Sequence, residues 1–411
     1  MKPAPLRGAM APAKFDVAVL GAGIIGSAVA RELARRGRSV VVLEAGEVAG
    51  ETSCRAMGHV GVYDDSPAQL VLTRFARGLW DEVEPEVPPE VDFVRWGALW
   101  IADTEEEMSV VEHKAEVYAR AGVPAEVVDG RRLTEMEPNV RRGLPGALWV
   151  PGDIVVDAAE ATRFLARSAQ AAGAEIRTHT HVRSIGREAL ELDRGERVRA
   201  DRFVVATGWR APELLPSLPI RPRKGHIVLT TPRPGYVRHQ LSEVGYVRGS
   251  NPRTAEAIDF SCQPRSSGRY LLGATRQYVG TSLDVDPEVV ERLVQRARRF
   301  LPDFHRIPVE RTWAGLRPAG PDGVPILGPI PGRPELILAV AHEGIGITTS
   351  IATGRLVAEI VDGQTPSIPL DDFRPEKFGL GSGGAKPRAR RPPRRPAGRR
   401  PRGTAGPSPV R

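Results

Sequence analysis

Phe15-Asp16-Val17-Ala18-Val19-Leu20-Gly21-Ala22-Gly23-Ile24-Ile25-Gly26-Ser27, with Glu44 closing the next apolar run, is the stretch that decides the fold. Phe15 to Leu20 is short, apolar and bounded by glycine, so it reads as a buried strand. Ser27 to Arg36 carries apolar residues at helical spacing and stops at Gly37, and Ser39 to Leu43 reads as a second strand. Each glycine answers a physical demand: Gly21 allows the tight turn, Gly23 lets backbone approach a pyrophosphate, and Gly26 lets the helix lie close on the sheet. The helix N-terminus around Ile24 and Ile25 offers unpaired N–H groups and the positive end of its dipole to phosphates. Glu44, followed by Ala45, would accept hydrogen bonds from ribose hydroxyls, and its charge disfavours a 2′-phosphate. A glycine-rich turn in an ordinary β-α-β unit is the plainer reading. Strand, helix, strand and terminal acid in this order argue instead for dinucleotide binding.

The chain has 411 residues, enough for two domains or for one large α/β domain with an inserted lobe. Its hydrophobic content of 41% is ordinary for a globular protein, and no apolar run is long enough to span a bilayer. Met1 to Lys14 is Pro/Ala-rich and basic. A secretory signal is rejected, because the apolar stretch that follows is the nucleotide-binding strand and helix. Cys54 and Cys262 lie far apart, with no iron–sulfur or zinc spacing, and point to a reducing compartment without structural disulfides. The expected location is therefore the cytoplasm, with contact at the inner-membrane surface left open.

The net charge of +8 resides in one segment. Gly379 to Arg411 carries ten basic residues and no acidic one, and removing its ten charges from the total leaves Met1 to Phe378 at −2. Such a tail cannot bury apolar area and is expected to be disordered, either as a solvated extension or as an electrostatic contact for nucleic acid or acidic lipid.

Along the chain, helical patterns run from Ser66 to Glu84, Glu105 to Ala121, Asp129 to Glu137, Ala158 to Ala172, Pro287 to Phe300 and Thr348 to Asp362. Strands are expected at Val94 to Ala102, Ala174 to Arg177, Arg202 to Gly208 and Leu336 to Val340, and dominate Gly225 to Tyr278. Arg311 to Gly328 reads as a Gly/Pro-rich stretch. The expected fold class is α/β: a Rossmann-like nucleotide-binding domain from 15–85, 150–220 and 310–375, with an inserted antiparallel-sheet, α+β substrate domain from 86–149 and 221–309. Residues 1–14 are a flexible N-terminus and 379–411 a basic tail.

Four segments together resemble the FAD-dependent D-amino-acid oxidase superfamily, in particular its glycine oxidase, sarcosine oxidase and D-amino-acid dehydrogenase branch. They are Gly21 to Glu44; Glu51-Thr52-Ser53-Cys54-Arg55-Ala56-Met57-Gly58-His59; Val204-Val205-Ala206-Thr207-Gly208-Trp209; and Gly315-Leu316-Arg317-Pro318 with Pro321 to Gly328 and His342-Glu343-Gly344-Ile345-Gly346-Ile347. Pro222-Arg223-Lys224-Gly225-His226 and Val237-Arg238-His239-Gln240 further resemble the flavin subunit of dye-linked dehydrogenases acting on D-hydroxyproline. One departure stands out: glycine oxidases typically carry an arginine where this chain has Glu343.

The resemblance implies FAD as cofactor and a residue-by-residue site. Thr52, Ser53, Cys54, Gly58 and His59 would lie over the pyrophosphate and flavin, with covalent attachment through Cys54 or His59 left open. The backbone of Val182 would meet the adenine, and Ala206, Thr207, Gly208 and Trp209 would return to the FAD. Gly315 and Arg317 would face the flavin and substrate, with Arg317 gripping the substrate carboxylate through its planar fork. His342, Glu343, Gly344, Ile345, Gly346, Ile347 and Thr348 would aim helix N-terminal amides at the flavin N1/C2 carbonyl. His59, Tyr246 and Tyr278 are the remaining candidates for touching substrate, each also readable as packing or orientation.

The implied reaction takes hydride from the substrate Cα–H to flavin N5 and gives an imine. A deprotonated amine needs only orientation, in keeping with the absence of an evident acid–base pair along the chain. Substrates of the glycine, sarcosine, D-amino acid or D-proline/D-hydroxyproline type follow, with oxygen, a partner subunit or a quinone as electron acceptor. Two other readings stay open on the same fold: a 2-hydroxy-acid or glycerol-phosphate dehydrogenase, and a flavoprotein of RNA modification anchored by the basic tail. No metal is expected.

Overall fold

The computed structural model describes residues 14–245 and 255–380. The basic tail from 381 onward, the N-terminal residues 1–13 and Tyr246 lie outside the described residues. Among those described, the chain builds two eight-stranded sheets and one short strand pair, and no helix is long and apolar enough to cross a membrane.

The first sheet grows from the nucleotide-binding start. Strand Phe15–Leu20 lies between Val40–Leu43 and Arg197–Val205, all parallel, with Glu175–Arg177 beyond the first and Arg333–Val340 beyond the second. Ile326–Ile330 closes one edge antiparallel, and Val182–Ile185 and Ala189–Leu192 form a ribbon on Arg197–Val205. Val17, Val19, Val40, Val42 and Val204 are buried on one face, and Ala18, Leu20, Val41 and Val205 on the other. Continuous apolar strands of this kind are what a parallel sheet covered on both sides requires. Helices Ile24–Arg35, Ala158–Ala171 and Gly346–Val361 pack together in the layer that covers the first of these faces.

The turn from the first strand into the first helix is as tight as its glycines suggest. Gly21 sits at φ +98°, and a Cβ there would lie 2.8 Å from the Ala206 carbonyl oxygen. A Cβ on Gly26 would lie 1.9 Å from the Gly21 carbonyl oxygen. Only glycines let the helix start this close to the strand.

The second sheet runs in the order Val309–Ala319, Arg221–Thr230, Tyr270–Gln277, Glu256–Pro264, Gln240–Glu243, Ala98–Ala102, Gly146–Val150 and Glu126–Asp129. It is antiparallel except where Gln240–Glu243 meets Ala98–Ala102. Helix Pro287–Arg298 covers one face, and Phe300 just beyond it stacks on Phe260 with ring centroids 4.7 Å apart.

Val309–Ala319 differs from the expectation for the Arg311 to Gly328 stretch. It is an eleven-residue strand of the second sheet, register-paired along Arg221–Thr230, and the chain crosses to the first sheet only after it. Its alternation accounts for this: Ala314, Leu316 and Pro318 are buried, while Trp313, Gly315 and Arg317 face the other way and are half-buried. The crossing strand carries Arg317 on the second sheet, opposite the nucleotide-binding turn.

Candidate active site

Between the two sheets lies an elongated cavity of about 800 Å³. At one end its wall is the strand–turn–helix of the first sheet: Gly21, Gly23, Ile24, Ile25, Glu44, Ala45 and Val182. Glu44 is fixed by two backbone amides, Oε2 accepting from Ala22 N at 2.7 Å and Oε1 from Gly46 N at 2.8 Å. Ser53 Oγ accepts from Ile24 N at 2.9 Å and so ties the Thr52–Gly58 loop to the helix start. That loop is held from the second sheet as well. Thr52 Oγ1 donates to Leu316 O at 2.7 Å, Trp313 Nε1 donates to Arg55 O at 3.2 Å, and the half-buried Arg265 guanidinium donates to Met57 O.

The middle of the wall is formed by Ala206, Thr207, Gly208 and Trp209, by Thr52, Ser53, Gly58 and His59, and by His342, Glu343, Gly344, Gly346 and Ile347. Thr207 Oγ1 is buried without a hydrogen-bond partner among the described residues. Helix Gly346–Val361 starts here without a side-chain cap, so its first amides remain open toward the cavity. An open helix N-terminus and an orphaned hydroxyl as donors, a fixed acid as acceptor and a glycine turn that admits close backbone approach form the set a dinucleotide with a flavin ring requires. The residues present fit that group.

The far end belongs to the second sheet. Arg317 and Gly315 project from Val309–Ala319, Gly225 and Ile227 from Arg221–Thr230, and Ser242, Ser261, Gln263 and Ala274 from the strands beyond. Arg317 Nη1 donates to Thr275 O at 2.9 Å, and its guanidinium occupies the notch above Gly225, where a Cβ would lie 2.3 Å from Nη1. The cross-strand partner of Arg317 is Arg223, fully buried, whose Nη1 lies 3.4 Å from Glu343 Oε1. Burial holds His342 neutral, its pKa lowered to about 3, and its Nε2 pairs with Thr353 Oγ1 at 3.0 Å. Asp259, paired with Arg276 at 2.8 Å, is raised by burial to about 6.

His59 stands in a chain of groups that its sequence position does not reveal. Strand His59–Val60 pairs with Ile154–Val155 and brings Asp153 alongside. Asp153 Oδ2 lies 2.8 Å from His59 Nε2, and Tyr63 Oη lies 2.9 Å from Nδ1. An ionised Asp153 can only accept, so Nε2 carries the hydrogen and Nδ1 accepts from the Tyr63 hydroxyl. A histidine–carboxylate pair is thus brought together across 94 residues of sequence.

Five expected residues are outside this wall. Gly26 lies inside the first helix on the side packed against Gly21 and Val19, and Ile345 is buried. Thr348 is buried and donates from Oγ1 to His59 O at 3.0 Å, a supporting contact. Cys54 turns away and donates from Sγ to Glu51 O at 3.1 Å. Tyr278, just past the end of strand Tyr270–Gln277, stands between two guanidiniums, 4.3 Å from Arg221 and 5.3 Å from Arg223, and is not part of the cavity lining. Met57, Tyr63, Trp100, Gly225, Ser242, Ser261 and Gln263 were not anticipated. Ser261 and Gln263 alternate with the buried Phe260 and Cys262, a period-two signal that could have marked them.

A family model described as FAD dependent oxidoreductase matches residues 16–360. Glycine oxidase of Geobacillus kaustophilus (strain HTA426) is 30% identical over 379 residues, covering 88% of this chain and 96% of that protein. Glycine oxidase of Pseudomonas aeruginosa is 29% identical over 378 residues, covering 87% and 98%. Among solved structures, glycine oxidase from Geobacillus kaustophilus superposes with a TM-score of 0.80 at 28% identity, covering 88% of this chain and 98% of that one. L-proline dehydrogenase from P. horikoshii shares the fold with a TM-score of 0.81 at 24% identity, over 90% and 99% of the two chains.

Proposed function

The chain belongs to this FAD-dependent oxidoreductase family and acts on the C–N bond of an amino acid or amine; from that premise we propose that its substrate is a small α-amino acid with a primary or secondary amine, held by its carboxylate at Arg317. Arg317 carries the reading: a guanidinium on the cavity wall, anchored by Thr275 O and seated over Gly225, offers a planar fork to a carboxylate. The nucleotide half of FAD would be held by Gly21, Gly23, Glu44, Ser53 and Val182, and its flavin half by Thr207, His59 and the amides of Gly346 and Ile347. When bound, the flavin supplies a hydride acceptor and so makes the reaction an oxidation.

The protein's own contribution is position and protonation state. Arg317 fixes one end of the substrate and so aims its Cα–H. Open amides at the start of helix Gly346–Val361 favour negative charge on the ring edge they face. A substrate that enters as an ammonium has to lose one proton before its C–H bond breaks. Tyr63 Oη would take that proton while its own hydrogen passes to His59 Nδ1, and the resulting imidazolium would be stabilised by Asp153.

Anaerobic titration of the purified holoenzyme tests the reading. The panel is D-proline, cis-4-hydroxy-D-proline, glycine, sarcosine, D-alanine and L-2-hydroxyglutarate, followed by flavin absorbance. Bleaching by an amino acid in wild type and its loss in Arg317→Ala is the expected result. Bleaching by the hydroxy acid alone would overturn it. The speed of reoxidation in air then assigns oxygen, or a partner subunit or quinone, as electron acceptor.

A further inference from the structure

Beside Arg317, the proposed carboxylate anchor, the cavity wall contains polar groups that meet no hydrogen-bond partner among the described residues. Gln263 is fully buried on strand Glu256–Pro264, and neither its Nε2 nor its Oε1 meets a hydrogen-bond partner among the described residues. It borders the cavity together with Ser261, two residues earlier on the same face, and Ser242, the register partner of Ser261 on the next strand. Ser242 Oγ and Ser261 Oγ are 3.2 Å apart, and Gln240 Nε2 reaches both, at 3.2 and 2.8 Å. The Oε1 atom of Gln240 is a further buried acceptor without a partner among the described residues. Buried amides are nearly always paired, because a donor or acceptor withdrawn from water without replacement costs a full hydrogen bond. A cluster of such atoms on the cavity side of a sheet, with Phe260 and Cys262 packed into the core between them, is a surface built for a polar ligand.

Resting on the reading that Arg317 holds the substrate carboxylate, we infer that the substrate bears a neutral hydroxyl on its side chain or ring, received by Gln263 and the Ser242–Ser261 pair. The groups present decide the chemistry. An amide offers one acceptor and two donors, and a serine hydroxyl offers both kinds, so the partner has to donate and accept as a hydroxyl does. The wall is uncharged at these residues, which gives a second carboxylate or an ammonium no counter-charge. Glycine has no atom beyond Cα to reach this wall, and it leaves the orphaned amide unmet.

The test uses the holoenzyme and two kinds of paired probe. In anaerobic flavin reduction, cis-4-hydroxy-D-proline is compared with D-proline, and D-serine with D-alanine. In equilibrium binding, followed as a perturbation of flavin absorbance, cis-4-hydroxytetrahydrofuran-2-carboxylate is compared with tetrahydrofuran-2-carboxylate, both of which lack the oxidisable amine. The wild-type protein is expected to favour the hydroxylated member of the binding pair, and of at least one reduction pair, by about tenfold or more. Gln263→Leu, which keeps the volume and removes the polar edge, brings those ratios to within about twofold of unity. Ratios that are near unity in wild type, or equal in wild type and variant, overturn the inference. So does a Gln263→Leu protein that loses flavin affinity while keeping the preference, since the orphaned amide then serves the cofactor. If Gln263→Leu does not fold, Ser261→Ala is expected to lower the same ratios, and no change in them is refuting. The binding pair separates this inference from the functional reading: a hydroxyl preference in binding, without reduction by any amino acid, sinks the latter alone.

Discussion

Replacing Gly225 by alanine should disable Arg317 without touching it. The new Cβ would lie 2.3 Å from Nη1, 2.7 Å from Nη2 and 2.8 Å from Cζ of Arg317. Non-bonded heavy atoms settle near 3.5 to 4.0 Å, so the guanidinium has to retreat by more than about 1 Å. That movement breaks or misaligns the 2.9 Å bond from Nη1 to Thr275 O and lifts the fork from its seat. A hydrogen bond to a charged group contributes about 1.5–3 kcal/mol, which corresponds to roughly 10- to 150-fold, and a displacement of about 1 Å in a positioning residue has a similar effect. We therefore expect Gly225→Ala to lower kcat/KM for the best amino-acid substrate by about 10- to 100-fold, with flavin content unchanged. The assay is stopped-flow flavin reduction over a range of substrate concentrations, with tetrahydrofuran-2-carboxylate binding as a second readout. Because both substitutions act through one guanidinium, Gly225→Ala combined with Arg317→Ala should be no worse than Arg317→Ala alone. Full additivity in that cycle, or unchanged carboxylate binding in Gly225→Ala, would refute the reasoning.

Two further outcomes test the surroundings. Tyr63→Phe removes the hydroxyl 2.9 Å from His59 Nδ1 and should slow the limiting rate of flavin reduction by about 10²-fold or more, as loss of acid–base catalysis does, while carboxylate binding stays as in wild type; an unchanged rate leaves His59 and Asp153 as loop anchors only. Stability against pH should report two buried groups with opposite signs. His342 falls from an ordinary 6.5 to about 3, so its stabilisation is complete above pH 6.5 and is lost as pH falls toward 3. Asp259 rises from 3.8 to about 6, so its stabilisation is complete below pH 3.8 and is lost as pH rises through 6. Between pH 4 and 6 the slopes oppose, each about 1.4 kcal/mol per pH unit for one proton. Asp259→Asn removes one of them, and its urea midpoint should fall more steeply than that of wild type from pH 6 to pH 4. Parallel curves would contradict the assignment.

The parts of the fold that could be read from sequence are those where local demands and global position coincide. Phe15–Leu20, the turn at Gly21 and the helix from Ile24 announce themselves because a buried parallel strand, a positive φ and a close helix start each leave a residue signature. Arg317 and the His342 to Ile347 turn were found through resemblance. The second sheet's share of the cavity was hidden for a different reason. Gly225, Ser242, Ser261 and Gln263 come from separate strands whose order is set by pairing between distant segments, and none carries a local signature of function. Asp153 is the clearest case: in the fold it is hydrogen-bonded to His59, yet on its own in the sequence it is one more acid in a turn. Val309–Ala319 was misread because Gly315, Pro318 and Gly320 outweighed an alternation of buried and half-buried residues that was present in the sequence.

The charge pattern at the substrate end explains how the chain tolerates Glu343 where glycine oxidases typically carry an arginine. Arg223 and Arg317 are direct cross-strand partners, a like-charge pairing that destabilises a sheet unless something offsets it. Glu343 supplies the offset. Its carboxylate lies 3.4 Å from the buried Arg223, close enough for that guanidinium to stay charged out of water, while Arg317 is directed to the Thr275 carbonyl and the cavity. Arg223 and Glu343 therefore make sense together: a buried arginine on the strand requires an acid nearby, and the acid on the loop has that cation beside it. Arg223 is thus paired with Glu343 and Arg276 with Asp259, His342 is held neutral, and Arg317 stands beside them on the cavity wall as the group proposed to meet a substrate carboxylate. On the proposed reading Arg317 receives the substrate carboxylate, and the space beside it is lined by the uncharged groups of Ser242, Ser261 and Gln263.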